Sequence, residues 1–289
     1  MASFQSPSTV DYVRAALPAL PGAALVPGLR RSGRGLPEEV VRVEDVQIDA
    51  THLAAYDEVC GFALSDSLPG TYPHVLSFAA QMKLLTSRNF PFPAVGMVHV
   101  ANRITVHRPL DIHDRLTFTV SVANLRPHPR GQQLDLVTNV TVDRETVWEG
   151  VSTYLRRGPG GDPSAERPGP EPIEITPGPG QWRLPADLGR RYAAVSGDCN
   201  PIHINSLLAR AFGFPRAIAH GMWTAARALA DIQPRLPRGY RYDVAFGTPI
   251  LLPSTVSFAA RAGEAPGRAE LAVVDRSGRS HLTGIVDEL

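Results

Sequence analysis

The chain repeats itself, and a repeat settles architecture before any single residue does. Tyr56, Cys60, Gly61 and Phe62 have the spacing of Tyr192, Ser196, Gly197 and Asp198. Each set follows a short apolar segment, ending at Ile48 in the first half and at Leu184 in the second. Farther on, Pro73-His74-Val75 heads an apolar run (Leu76, Phe78, Ala79, Met82, Leu85) much as Ala219-His220-Gly221 heads another, with ten fewer residues between tyrosine and histidine in the first half. Pro109, Leu116 and Phe118 then match Pro249, Val256 and Phe258. Two copies of one unit are the consequence.

Period-two alternation marks the strands of both copies. In the first half they run over His99–His107, Leu116–Leu125, Gln133–Asp143 and Val147–Arg156, and in the second over Asp243–Phe246, Thr255–Ala262, Arg268–Asp275 and His281–Asp287. Strands in runs, with helices ahead of them, read as an α+β fold. Residues 1–40, rich in Pro, Gly and Ala, are expected to be an extended lead-in with one short helix near Val10 to Leu17. The first strand is expected over Val41 to Ile48, with Asp49 capping a helix through His52 and Tyr56. Between the copies, residues 157–180 are crowded with Pro and Gly and have little to bury, so they read as a linker. The units then span 1–156 and 181–289, within a chain of 289 residues that already exceeds the ~100–200 of a single domain.

The chemistry concentrates between Tyr192 and Ala230. Asp198 and His203 lie five residues apart with Pro201 between them, and proline disfavours helix at the residue before it, so a loop is expected there. Asn200 can bond its own backbone in such a turn and hold the acid and the imidazole toward one cavity. Held together, the two can move protons near neutral pH, because the unperturbed imidazole titrates at about 6.5. From Ile218, the residues Met222, Trp223, Ala226, Leu229 and Ala230 recur at helical spacing among alanines, which predicts a buried helix beginning near His220-Gly221. The Gly221 N–H would then point out of a helix N-terminus, where a carbonyl oxygen that gains negative charge is stabilised.

The string Y-x-x-x-S-G-D-x-N-P-I-H, followed by G-F and A-H-G-M, resembles the MaoC-like family of (R)-specific enoyl-CoA hydratases and 3-hydroxyacyl-thioester dehydratases. The resemblance implies a tandem (double) hotdog fold, each antiparallel sheet wrapped around a central helix, in an intrachain pseudo-dimer open to further pairing as a homodimer. It implies Asp198 and His203 as a catalytic dyad that adds or removes water across a thioester-conjugated double bond, with Gly221 as oxyanion donor. Asn200, Ser196 and His220 fall on the substrate-binding side, the first two also read as holding the loop. The first unit has Phe62 in the place of the acid and Ser67 in the place of His203, so it keeps the shape as a degenerate hotdog and loses the dyad.

Composition bounds the partners. A formal net charge of +1 leaves no electrostatic footprint for nucleic acid, and no apolar run reaches the ~18 residues of a membrane span. The two cysteines, Cys60 and Cys199, cannot build a secreted disulfide framework, so a cytoplasmic setting is expected. No metal or redox cofactor is needed: His203, His220 and Cys199 fit no zinc spacing. Arg210 and Arg216 read as a solvated helix face, and His99, His107, His113 and His128 as surface or structural residues. The expected substrate is an acyl-CoA or acyl-carrier-protein thioester. A hotdog thioesterase and a non-catalytic acyl-binding subunit remain as alternative readings.

Overall fold

The structure is a computed structural model that describes residues 35–94, 96–174 and 180–289. The short helix expected near Val10 to Leu17 lies outside these residues. The first half contributes β1 (Val41–Val46), α1 (Ala50–Cys60), α2 (Tyr72–Leu85), β2 (Met97–Val106), β3 (Leu116–His128), β4 (Gly131–Val142) and β5 (Glu145–Arg157). The second contributes β6 (Gly180–Leu184), α3 (Leu188–Ser196), α4 (Pro201–Ile204), α5 (Ser206–Ala211), α6 (Gly221–Asp231), β7 (Tyr240–Phe246), β8 (Ser254–Ala262), β9 (Arg268–Val274) and β10 (Ser280–Glu288). The ten strands form one antiparallel sheet in the order β1-β3-β4-β5-β2-β7-β10-β9-β8-β6. Read outward from its middle, each half gives the same succession of strands. The repeat in the sequence is therefore a pseudo-twofold in the fold, with its axis between β2 and β7.

That junction is a direct strand pairing, from Ala101 opposite Ala245 to Val106 opposite Tyr240. Alternation puts Ile104, Val106, Tyr242 and Val244 on the inner face, where all four are buried. α6 lies against this face, and Ala225, Ala226, Ala228 and Leu229 are essentially inaccessible, while its charged residues Arg227 and Asp231 pair with each other on the outer side. Small side chains let neighbours approach its backbone: the Tyr242 hydroxyl donates to the Ala225 carbonyl at 3.0 Å. Trp223 crosses between the halves, donating its indole N–H to the Val59 carbonyl at 2.9 Å. Truncating so buried an indole costs about 3–5 kcal/mol.

The paired helices α1 and α3 show why the repeat is legible. Asp49 Oδ1 accepts from the N–H groups of Thr51 (2.8 Å) and His52 (3.3 Å), so the capping expectation is met. Both helices end at a left-handed glycine, Gly61 (φ 80°) and Gly197 (φ 72°), whose N–H groups donate to Asp57 and Ala193. A side chain at that φ is strained, which fixes glycine at both places. His52 ties the halves together, with Nδ1 at 2.7 Å from the Tyr72 hydroxyl and Nε2 at 2.9 Å from the Val195 carbonyl. The strand expected to reach Ile48 ends at Val46, because Asp49 already turns the chain into α1. Residues 158–174 form no helix or strand, although β5 reaches Arg157. No helix among the described residues is long and apolar enough to cross a membrane.

One buried charge has no counterpart in the second half. Both carboxylate oxygens of Asp57 are buried without a hydrogen-bond partner among the described residues, and burial raises its pKa to about 7. A folded pKa above the unfolded value means that folding favours the protonated acid. Its contribution is present at low pH and lost as pH rises through about 7. Asp57→Asn removes the charge and keeps the shape. The variant is expected to melt above the wild type by on the order of 5 °C at pH ~8, with the gap closing toward pH ~5 in circular-dichroism melts. A gap that does not change with pH would contradict this account.

Candidate active site

The loop after α3 is held by its own polar groups. Gly197 reverses the chain, the Asp198 N–H donates to Ser196 Oγ at 3.1 Å, and the Asn200 N–H donates to Asp198 Oδ1 at 3.1 Å. The Asn200 side chain accepts from the Ile202 N–H at 3.4 Å and caps α4. Ser196 and Asn200 thus spend their side-chain oxygens on backbone. The loop expected as far as His203 ends at Asn200. Pro201 opens a one-turn helix, since its missing N–H and fixed φ suit a first helical position, and His203 sits on that turn. Cys199 is exposed, forms no disulfide and is not one of the three residues that cluster around the histidines.

His203 is oriented from behind. Its Nδ1–H donates to the Ile218 carbonyl at 2.9 Å, which leaves Nε2 as the bare nitrogen of a neutral ring. His220 stacks on it, with ring centroids 3.7 Å apart and planes 26° from parallel. The Nε2–H of His220 donates to the Asp198 carbonyl at 3.0 Å and lies 3.8 Å from its carboxylate. Burial pushes both imidazoles down: His203 against the opposing pull of the Asp198 charge and the Ile218 carbonyl, His220 farther because the His203 ring adds to burial. Two neutral rings beside an ionisable acid result. Ring nitrogens of both histidines and a carboxylate oxygen of Asp198 come within 4.8 Å, and the Asp198 side chain stays 28 % exposed, open to a ligand arriving from solvent. The same three residues each bring one ligand atom within reach of a cation, with the two rings stacked face to face.

Gly221 is the first residue of α6, so its N–H has no intrahelical acceptor. A Cβ at this position would come within 3.1 Å of the Phe246 ring. Behind Phe246 stands a wall from the first half. His99 packs edge-on to Phe246 at 5.0 Å, stacks on Tyr154 at 4.6 Å and lies 6.0 Å from His74. The Asp198 charge is felt at both His74 and Tyr154. His99, read from sequence as surface or structural, has a fully buried Nε2 in this wall. His74 could have been found, since the repeat sets it opposite His220; Tyr154 carried no signal beyond strand alternation. Arg210 is exposed on α5, where its Nε donates to the Pro215 carbonyl at 3.2 Å, as expected of a solvated helix face; Arg216 is also exposed but lies in the loop beyond that helix, which ends at Ala211.

Gly189 is a further residue that sequence reading passed over. It lies in the first turn of α3, directly against the carbonyl of His203, and a Cβ would collide with that carbonyl. Alanine gains about 1 kcal/mol over glycine inside a helix, but overpacking costs about 1–3 kcal/mol and here displaces α4. Gly189→Ala is therefore expected to lower the melting temperature by a few degrees and to shift the His203 imidazole resonances in NMR. Unshifted resonances would show that α4 does not rest on this contact.

This geometry has relatives. Residues 163–277 match the MaoC like domain. The chain is 41% identical over 281 residues to 3-hydroxyacyl-thioester dehydratase X of Mycobacterium tuberculosis, covering 96% of each protein. The crystal structure of HtdX from that organism superposes with a TM-score of 0.77 at 40% identity, over 87% of this chain and 100% of the other. A further Mycobacterium tuberculosis protein, with a double hotdog fold, matches at a TM-score of 0.53 and 16% identity over 86% and 94% of the two chains, a likeness of fold alone. With identity of this extent over nearly its whole length, the chain belongs to the MaoC-like dehydratase family.

Proposed function

We propose that this protein is a hydro-lyase that interconverts (3R)-hydroxyacyl and trans-2-enoyl thioesters. The observation that carries the reading is the neutral His203, fixed by the Ile218 carbonyl with Nε2 bare, beside the Asp198 carboxylate and the open N-terminus of α6. The identity to a 3-hydroxyacyl-thioester dehydratase supports it.

In the dehydration direction, the Gly221 N–H binds the thioester oxygen. His203 Nε2 takes the proton from C2 as that C–H bond breaks, and the electron pair passes toward the thioester oxygen, where the helix N-terminus stabilises it. The pair then returns to form the C2–C3 double bond as the C3–O bond breaks. The leaving hydroxyl, held by the Asp198 carboxylate, takes the proton from the His203 imidazolium and departs as water. One base on one face suffices, so elimination is syn. Ser196 and Asn200 hold Asp198 through the loop backbone, and His220 supports the stacked His203 ring. The acyl carrier is coenzyme A or an acyl-carrier protein, and the cytoplasmic setting expected from the cysteines is part of this proposal.

Hydration of trans-2-enoyl-CoA is followed by loss of the enoyl absorbance, with product stereochemistry read by an (R)-specific dehydrogenase. Wild type is expected to give (3R) product without free thiol, and Asp198→Asn and His203→Ala to lose about 10²–10⁴ in kcat. Burial lowers the His203 pKa, so the base form persists on acidification and the acid limb of kcat/KM should lie below pH ~6.5. Release of free thiol by the wild type would move the answer to thioester hydrolysis.

A further inference from the structure

Two hydrogen bonds that cross between the halves end on equivalent carbonyls. The last turns of α1 and α3 leave carbonyls that no N–H of the same helix can meet. In α1 the carbonyl of Val59 accepts from the indole N–H of Trp223, on α6 of the second half, at 2.9 Å. The spacing that sets Tyr56 opposite Tyr192 sets Val59 opposite Val195. Val195 lies in the last turn of α3, and its carbonyl is 2.9 Å from Nε2 of His52, on α1 of the first half. The same place on each helix is held from the other half.

The donors come from different elements, because the repeat is broken at both of their positions. The register that sets His74 opposite His220 sets Ser77 opposite Trp223. Ser77 donates its hydroxyl to the His74 carbonyl at 2.9 Å, within its own helix, so it makes no counterpart of the indole bond. His52 supplies the donor to Val195 instead. It stands opposite Leu188, whose side chain has no polar atom with which to return the bond. A carbonyl only accepts, so His52 carries its proton on Nε2, and its bare Nδ1 accepts from the Tyr72 hydroxyl at 2.7 Å. Tyr72 is itself fully buried, and burial lowers the His52 pKa, which keeps the ring in this neutral form. Both ring nitrogens are committed, one to each half.

The place of Val195 gives this bond a consequence that the bond to Val59 lacks. The Val195 carbonyl and the Ser196 N–H belong to one planar peptide. Fixing that plane fixes where α3 delivers Ser196, whose Oγ accepts the Asp198 N–H at 3.1 Å across the left-handed turn at Gly197. In the first half the same turn leads from Gly61 to Phe62, which has no acid to aim.

We infer that His52, from the half without a dyad, is a positioning residue for Asp198: it holds the Val195–Ser196 peptide and, through Ser196 Oγ, the loop that carries the acid. This rests on the dehydratase reading of Asp198 and His203 and deepens it. His52 takes no part in the proton transfers and acts only through the backbone. The half that lost its own dyad then still contributes to aiming the other one.

The test is steady-state hydration of trans-2-enoyl-CoA by full-length variants, with the backbone amides of Ser196 and Asp198 followed by NMR. His52→Leu removes the donor and copies the second half at this position. It is expected to lower kcat about 10-fold with KM within about 2-fold, because the reacting groups are misaimed while thioester contacts remain, and to shift both amides. His52→Gln keeps an N–H that can meet Val195 and should recover kcat to within about 3-fold of wild type. Tyr56→Phe, which removes the 2.8 Å bond to Thr71 Oγ1 in the same half, controls for lost stability: it should melt lower and keep kcat within about 2-fold. An unchanged kcat in His52→Leu would overturn the inference, as would a loss that His52→Gln does not recover or that Tyr56→Phe reproduces. If wild type hydrates no thioester, the dehydratase reading fails, and the amides still decide whether His52 holds the loop: unshifted resonances in His52→Leu would show that it does not.

Discussion

The pairing of β2 with β7 is the constraint on which the rest depends. It joins two half-sheets into one and turns an internal repeat into a pseudo-twofold, so residues distant in sequence meet at the axis. Phe246, at the end of β7, comes against His99 of β2 on one side and the first turn of α6 on the other. Helix pairing repeats the theme on the other layer, where His52 reaches Val195 and Tyr56 approaches Tyr192 with ring centroids 6.4 Å apart. A lone half would expose both the edge of its innermost strand and an apolar helix flank. The proposed site takes Asp198, His203 and Gly221 from the second half and a wall of His99 and Tyr154 from the first.

Symmetry of the backbone makes the asymmetry of the chemistry plain. Gly61 and Gly197 end equivalent helices in equivalent left-handed turns, yet the next residue is Phe62 in one half and Asp198 in the other. The ten extra residues between tyrosine and histidine in the second half include α4 and α5, and α4 is what presents His203. The first half, lacking that insertion, places Ser67 in an isolated bridge to Asp111. What it retains is the histidine at the head of its central helix. His74 and His220 occupy corresponding places, and both are buried with lowered pKa values, His74 to about 4.

Much of this was legible from the sequence, for physical reasons. Strand alternation survives because one face of each strand is buried, and a capping aspartate or a left-handed glycine acts through its nearest neighbours, so β3, α1 and the turn at Gly197 could all be read locally. Asp198, His203 and Gly221, the residues proposed to act, fall within one continuous string. What failed to show were contacts made across the fold. Pro201 suggests a loop through to His203, whereas a proline at a first helical position starts a helix. Gly189 is conspicuous only once the His203 carbonyl lies against it. His99 and Tyr154 have the look of strand residues, and only the sheet register brings them together behind Phe246. A side chain's neighbours along the chain predict its backbone, but the surroundings of His99 and Phe246 are set by pairing between strands far apart in sequence.

The central claim is that each chain builds one site, with chemistry from the second half and a wall from the first. Calorimetric titration of the His203→Ala protein with a trans-2-enoyl-CoA, which should bind without turning over, tests it most directly. The account predicts one equivalent bound per chain. Two equivalents would mean that the first half carries a thioester site of its own, and the assignment of a single junctional site would be wrong.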